Sequence, residues 1–185
     1  MSAPLVGLDM LHYAAVVTDI PTATTYGTPV HVERTVSLSV RPGSGTNTFI
    51  SDTGPAFTLS HNEEVDVSIM AADLPPEAYA FLIGADYNPA TGIVDVTGEG
   101  VGPDVAIGFR AKRANGFYRY VWLLKGRFTA PNMEHQTLEG RVNFQSSTIN
   151  GKFIARESDN KIYRRVNSED SSLTLPGDWF ANPNV

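Results

Sequence analysis

Gly108 to Phe128 reads GFRAKRANGFYRYVWLLKGRF. Asn115-Gly116 lies at its centre between two runs of alternating large residues. This is the strongest short-range signature of a β-hairpin, because a type I′ turn needs φ > 0 at both central positions. The alternation selects Val105, Ile107 and Phe109 before the turn and Tyr120, Trp122 and Leu124 after it as the core-facing set. Val121 and Leu123 make the opposite face apolar too, and a strand apolar on both faces in a small protein needs a second covering layer. The hairpin also concentrates charge. Arg110, Lys112, Arg113, Arg119, Lys125 and Arg127 are six of the 14 basic residues, with no acid among them, which leaves 8 basic residues against 20 acidic ones elsewhere. A basic ribbon on an acidic body calls for an acidic partner, either nucleic acid or a second copy of the chain.

Composition narrows the choice. At 185 residues one domain is expected, and 42% hydrophobic with 18% charged residues is globular composition. No apolar run reaches the roughly 18 residues that span a bilayer. The opening MSAPLVGLDMLHYAAVV lacks the basic start and clean apolar stretch of a secretion signal, so synthesis and retention in the cytoplasm are expected. Zero cysteines remove disulfides and thiolate chemistry together. A net charge of −6 opposes DNA binding as the main task, since phosphate affinity accumulates from Lys and Arg.

Along the chain, residues 1–29 are rich in Pro, Thr and Gly after a brief apolar start and read as an N-terminal arm. Residues 30–166 read as the β domain, and 167–185 as a polar C-terminal arm carrying the stranded pair Trp179-Phe180. VHVERTVSLSV, residues 30–40, is β-branched and alternating, hence a strand, and RPGSGTN should end it; residues 49–61 read as irregular or weakly stranded. EEVDVSIMA, residues 63–71, places Val65, Val67 and Ile69 on one face and Glu64, Asp66 and Ser68 on the other. DLPPEAYAFLIG contains the one convincing helix, about residues 75–83. Pro75-Pro76 suit a first turn, Glu77 complements its dipole, Gly84 stops it, and Leu74, Ala78, Phe81 and Leu82 form its buried stripe. GIVDVTG is a short strand. LEGRVNFQ alternates again, with Leu138, Val142 and Phe144 inward and Glu139, Arg141, Asn143 and Gln145 outward, and Asn150-Gly151 signals a second turn. The whole is mainly β, a sandwich or barrel with one flanking helix, long loops and extended terminal arms.

Chemical motifs are sparse. His12, His31, His61 and His135 show no metal-ligand spacing. DYNPATG from Asp86 begins like a calcium loop but puts Ala90 where an oxygen ligand belongs and has no Glu at the twelfth position, so a tight turn is expected. GEGVG from Gly98 is not followed by a helix and reads as a loop rather than a phosphate cradle. Glu63 and Glu64 fall on opposite strand faces, and no G-x-S-x-G elbow is present, so no catalytic residue, metal or cofactor is assigned. The aromatic and basic residues of the hairpin fit interfaces between subunits and single-strand nucleic-acid platforms alike. A carbohydrate-binding or adhesion sandwich using exposed Tyr and Trp is a third reading.

Read together, VGLDMLHYAAVVTD with TYGTP, LPPEAYAFLIGADYNPATGIV, the 108–128 hairpin and HQTLEGRVNFQSSTINGKF resemble the major tail tube proteins of long-tailed, non-contractile bacteriophages. The last two segments are the specific ones, in order and spacing. The resemblance implies a β-sandwich or barrel flanked by a helix that assembles into hexameric rings, stacked as a virion tail tube through which genomic DNA leaves the capsid without specific binding. It implies no enzyme and no cofactor. The partners it implies are other copies of the chain and tape-measure, tail-terminator and distal tail proteins. The tail after residue 167 is too short for the additional immunoglobulin-like domain that some relatives carry. Three surfaces are then expected. Arg110, Lys112, Arg113, Arg119, Tyr120, Trp122, Lys125 and Arg127 would face a neighbouring subunit, which would cover the second apolar face of the hairpin. Glu64 and Asp66, with Asp95 behind them, would face the lumen, with Glu139, Asn143 and Gln145 as further candidates. Leu5, Leu8, Trp179 and Phe180 would belong to arms that tie rings together.

Overall fold

In a computed structural model the chain is described over residues 4–33, 35–51, 54–71, 74–98, 101–131 and 147–185. It is mainly β. Strand β1 is Leu5–Ile20, β2 Ala23–Tyr26, β3 Val30–Val32, β4 Thr35–Ser51 and β5 Gly54–Ala71. Helix α1, Pro76–Ile83, follows, then β6 Asp86–Asn88, β7 Ile93–Asp95, β8 Val105–Arg113, β9 Tyr118–Thr129, β10 Ser147–Phe153, β11 Tyr163–Asn167 and the short helix α2, Gly177–Ala181. The main sheet runs β2-β1-β8-β9-β10-β5-β4, with β3 on β1 and β11 on β9, every pairing antiparallel. It curls enough to bring Cα atoms of β1 and β4 within 8 Å of each other. Strands β6 and β7 form a separate ribbon, and the turn between them is the tight turn expected of DYNPATG, with the Gly92 N–H donating to the Asn88 carbonyl at 2.8 Å.

One face of the sheet packs Leu11, Tyr13, Val65, Val67, Ile69, Ile107, Leu123 and Phe153 against α1, which contributes Ala78 and Leu82. The helix starts and stops where its sequence dictates. Pro76 occupies the first turn, where a missing N–H costs nothing, and Gly84 closes the helix at φ 73°. Leu74 and Phe81 are half-buried against the same core, as the stripe requires.

The second face of β8 and β9 is covered by the chain itself. Ala106, Tyr120, Trp122 and Leu124 pack against Trp179 and Phe180 of α2, and the Trp122 ring is fully buried. The C-terminal segment therefore completes the core, which corrects the reading of residues 167–185 as an arm: Trp179 and Phe180 are 3% and 8% exposed. The N-terminal reading needs the same correction. Strand β1 pairs with β8 through most of its length, and Leu11 and Tyr13 are core residues. Its alternation is hidden by bulges between Leu5 and Gly7 and between Asp9 and His12, with Met10 at φ 53°. Leu11 to Ala14 are buried in succession because both faces of the strand are covered. Leu5 is 53% exposed and Leu8 is half-buried, opposite Arg113 and Ala111 on β8.

Four local expectations change. The register sets Ile107 against Leu123 and Phe109 against Val121, so the core-facing set of β8 shares its face with Val121 and Leu123 rather than with Tyr120, Trp122 and Leu124. The hairpin turn is a wider one, with the Arg113 N–H donating to the Phe117 carbonyl and the Gly116 N–H to the Arg113 carbonyl. Only Gly116 takes positive φ, 87°, while Asn115 does not. Asn150-Gly151 is no turn at all but lies inside β10, paired on both sides. Gly151 is required there because a Cβ would stand 2.7 Å from the Phe128 ring and 2.8 Å from the Arg127 carbonyl oxygen. RPGSGTN, expected to end its strand, lies within the β4–β5 hairpin, and residues 49–51 and 54–61, expected to be irregular or weakly stranded, continue it, with bulges at Pro42/Ser44 and Phe49/Ile50. Strand β4 ends the sheet, where a proline with no N–H to donate is tolerated. LEGRVNFQ, and with it Glu139, Asn143 and Gln145, lies outside the described residues.

Candidate channel face

Strand β5 carries its two chemistries on opposite faces. Val65, Val67 and Ile69 are 1–3% exposed, and the intervening Glu64, Asp66 and Ser68 point away from the core. The registers of its neighbours extend this division across four strands. Asp66 lies opposite Arg41 on β4 and Lys152 on β10, and Lys152 lies opposite Arg127 on β9. The result is one transverse row, Arg41–Asp66–Lys152–Arg127. Two residues along each strand a second row follows, Ser39–Ser68–Asn150–Thr129. Between the two, facing the core, runs Val40–Val67–Gly151–Phe128. The outer rows border a groove of about 660 Å³. Its uncharged row is tied down by hydrogen bonds, Ser68 Oγ to Asn150 Oδ1 at 2.8 Å and Thr129 Oγ1 to the Asn150 carbonyl at 3.1 Å.

The charged row is balanced. Lys152 and Arg127 are like charges directly opposite each other, an unfavourable cross-strand pair unless each finds an anion. Lys152 Nζ donates to Glu64 Oε1 at 2.5 Å and stands 3.9 Å from Asp66 Oδ1. Arg127 grips Asp104 with both arms of its guanidinium, Nε to Oδ1 at 2.5 Å and a terminal nitrogen to Oδ2 at 3.2 Å. The Glu64 hydrogen bond raises the Lys152 pKa, and the Asp104 hydrogen bond does the same for Arg127. Arg41 makes no ion pair among the described residues. Three cations therefore meet Glu64, Asp66 and Asp104. The two carboxylates point outward as expected, but they share their face with three cations supplied by three other strands. Asp95 belongs to the separate β6–β7 ribbon, opposite Asp86, and not to this face.

The basic hairpin finds acids within the same chain, so these cations do not need a neighbour to neutralise them. Arg110 holds Asp9 through two hydrogen bonds, at 2.7 and 2.5 Å, with its guanidinium 4.2 Å from the centre of the Tyr118 ring. Arg113 pairs with Glu169, and Arg119 donates to Asn167 Oδ1 at 3.0 Å. Lys125 reaches Asp19 at 2.7 Å, with side chains only 13% and 6% exposed. Burial pushes the Asp19 carboxyl up, but Lys125, the Thr24 hydroxyl and the Glu157 N–H outweigh it and leave the pKa lowered. Tyr120 and Trp122 are interior residues beneath α2. Of the expected interface set, Lys112 is exposed and makes no ion pair among the described residues, and Arg127 belongs to the groove.

Sequence spacing also missed a contact between histidines. His12 and His31 face each other across β1 and β3 with ring centroids 4.9 Å apart, and His12 stacks on Phe180 at 4.3 Å. Among the described residues no cluster of three His, Asp or Glu side chains forms a metal site.

No protein-family model and no curated protein matches this chain.

Proposed function

We propose that this chain is a structural subunit of a phage tail tube, in which copies join edge to edge into rings, with six as the expected number, and the rings stack. The outer rows of β4, β5, β10 and β9 then line a channel for DNA. The observation that carries this reading is the chemistry of those rows: short hydroxyl and amide side chains beside a row whose three cations are matched by Asp66 within it and by Glu64 and Asp104 next to it. A channel wall for a polyanion must stay wetted and offer few uncompensated cations, because each phosphate contact adds affinity and every further ring multiplies it.

Two further features support assembly. Strand β4 is a 17-residue terminal strand with no partner on its outer edge among the described residues, and such an edge is a template for another chain. Closing a ring of copies removes it. The subunit also has both faces of its central strands filled by its own residues, so it can fold before it assembles. Nucleic-acid binding through the basic hairpin loses its main support, since Arg110, Arg113, Lys125 and Arg127 are each neutralised within the chain. The reading gives the chain no catalytic role. It places the protein in the virion tail, with tape-measure, terminator and distal tail proteins as its neighbours.

Negative-stain electron microscopy of the purified protein at high concentration tests this. Regular tubes with an axial channel are expected. Dispersed monomers at every concentration and salt would overturn the reading, and a reconstruction with the groove on the outer wall would remove the channel assignment.

A further inference from the structure

The cations of the groove are positioned as a nucleic-acid site and then cancelled. Lys152 and Arg127 are adjacent across β10 and β9, their side chains 63% and 56% exposed, and Arg41 stands in the same row. Three cations in one row along a polar groove, flanked by Ser39, Ser68 and Thr129, would bind a phosphate backbone as surfaces of this kind do, through counterion release and hydroxyl hydrogen bonds. Two carboxylates prevent it. Glu64 caps Lys152, and Asp104 closes on Arg127 with the paired geometry that matches a guanidinium, the same geometry a phosphate would need. Exposed pairs like these add little to stability. Their pairing with the two exposed cations of the groove gives them a different use.

We infer that Glu64 and Asp104 are clamp residues that mask Lys152 and Arg127 from polyanions, so that removing them converts this face into a binding surface for double-stranded DNA. The inference rests on the channel reading for its biological sense, but its chemistry belongs to the isolated subunit. A phosphate approaching Lys152 must displace Glu64, which returns to solvent as a free carboxylate beside the phosphate, so the exchange gains no net ion pair. With Gln at 64 and Asn at 104 the cations stay in place and no anion competes. The amides preserve size and hydrogen bonding, and Asp66, 3.9 Å from Lys152, remains as a weaker competitor.

The test is fluorescence anisotropy of a labelled DNA duplex with the soluble subunit across a salt series. Wild-type protein is expected to show no binding at physiological salt. Glu64→Gln with Asp104→Asn should bind, with a slope of log K against log salt of about 0.9 for each unmasked cation. Adding Lys152→Gln to that variant should lower the slope by one such step and locate the gain in this groove. Should the double variant fold poorly by circular dichroism, Glu64→Gln alone carries the test, because Glu64 is 40% exposed at its side chain. A folded variant that binds no better than wild type overturns the inference, as does wild-type protein that already binds. Tubes without a gain in DNA affinity would sink the clamp and leave the tube reading standing. A gain in affinity with no tubes at any concentration would do the reverse.

Discussion

Trp122 donates its indole N–H to the backbone carbonyl of Trp179 at 2.8 Å, tying the centre of β9 to α2 near the end of the chain. Trp122 is fully buried, and its ring lies over Gly108, where a Cβ would come within 2.7 Å of it. Phe180 packs beside it at 6.1 Å between ring centres. The last residues are thus held by a second layer of the core rather than by a neighbour. Phe180→Ala should cost about 3–5 kcal/mol, as large-to-small aromatic changes in cores do. Deleting residues 177–185 should leave the subunit unfolded or molten. Urea denaturation followed by tryptophan fluorescence measures both, and a truncated chain that melts like the full one would return the segment to the role of an arm.

A second prediction separates a shielded cation of the hairpin, Lys125, from an exposed one, Lys112. The side chains of Lys125 and Asp19 are largely shielded, and Asp19 also receives the Thr24 hydroxyl and the Glu157 N–H. Removing one partner of a buried pair leaves an uncompensated charge, so Lys125→Met should cost about 3–5 kcal/mol. Lys112→Met, at an exposed position, should stay within about 0.5 kcal/mol. Thermal melts of the two variants decide it. Equal and small effects would mean that Asp19 finds enough hydrogen bonds without Lys125.

His12 predicts a pH dependence in a window of its own. Burial holds its pKa below the ordinary 6.5; the Met10 carbonyl, which accepts from Nδ1 at 2.8 Å, opposes this, and the neighbouring His31 adds to it. Phe180 contributes no charge from α2, and the nearby Asp9 is engaged by Arg110. A histidine depressed in the folded state contributes stability fully above pH 6.5 and loses it as pH falls through the folded value, because the unfolded chain takes the proton more readily. The melting temperature should fall between pH 7 and pH 5 in wild type. The fall should be shallower in His12→Gln, whatever that change does at pH 7. Parallel profiles would show that carboxylates carry the whole effect. Asp19 and Asp159, both held below the ordinary carboxylate range, enter only at lower pH.

The parts legible in the sequence are those where one local rule governs. Pro75-Pro76, Glu77 and Gly84 delimit α1 because each acts within one helical turn, and β5 announces its faces because its core half holds a clean alternation. What failed was set by partners far along the chain. The phase of Tyr120 and Trp122 depends on a register with β8 that slips at Val105/Ile107, and no local pattern records a slip. Asn150-Gly151 has the composition of a turn, but its glycine admits the Phe128 ring instead. The tail was unreadable because Trp179 and Phe180 are isolated among polar residues, and their core partners lie on β8 and β9. The candidate face was half visible. Glu64 and Asp66 could be aimed outward from β5 alone, whereas Arg41, Arg127 and Lys152 join them only through the order of β4, β10 and β9.

The last prediction concerns Arg41, which ends the charged row on the terminal strand. It lies opposite Asp66, is exposed, and makes no ion pair among the described residues, unlike Lys152 and Arg127. If copies join along β4, the next copy meets this end of the row first, and an exposed guanidinium there is placed to find an acid across the joint. Arg41→Glu would set two carboxylates opposite each other on β4 and β5, a cost of a few tenths of a kcal/mol to the exposed edge of the subunit, roughly the size expected of a like-charge cross-strand pair. Across a ring the same reversal repeats at every joint, so assembly should suffer far more than folding. The expected result is a subunit with an unchanged circular dichroism spectrum and nearly the same melting temperature that forms no tubes in electron micrographs. Arg41→Gln should fall between it and wild type. Tubes of normal length from Arg41→Glu would mean that the joint between copies lies away from β4, and that another surface closes the ring.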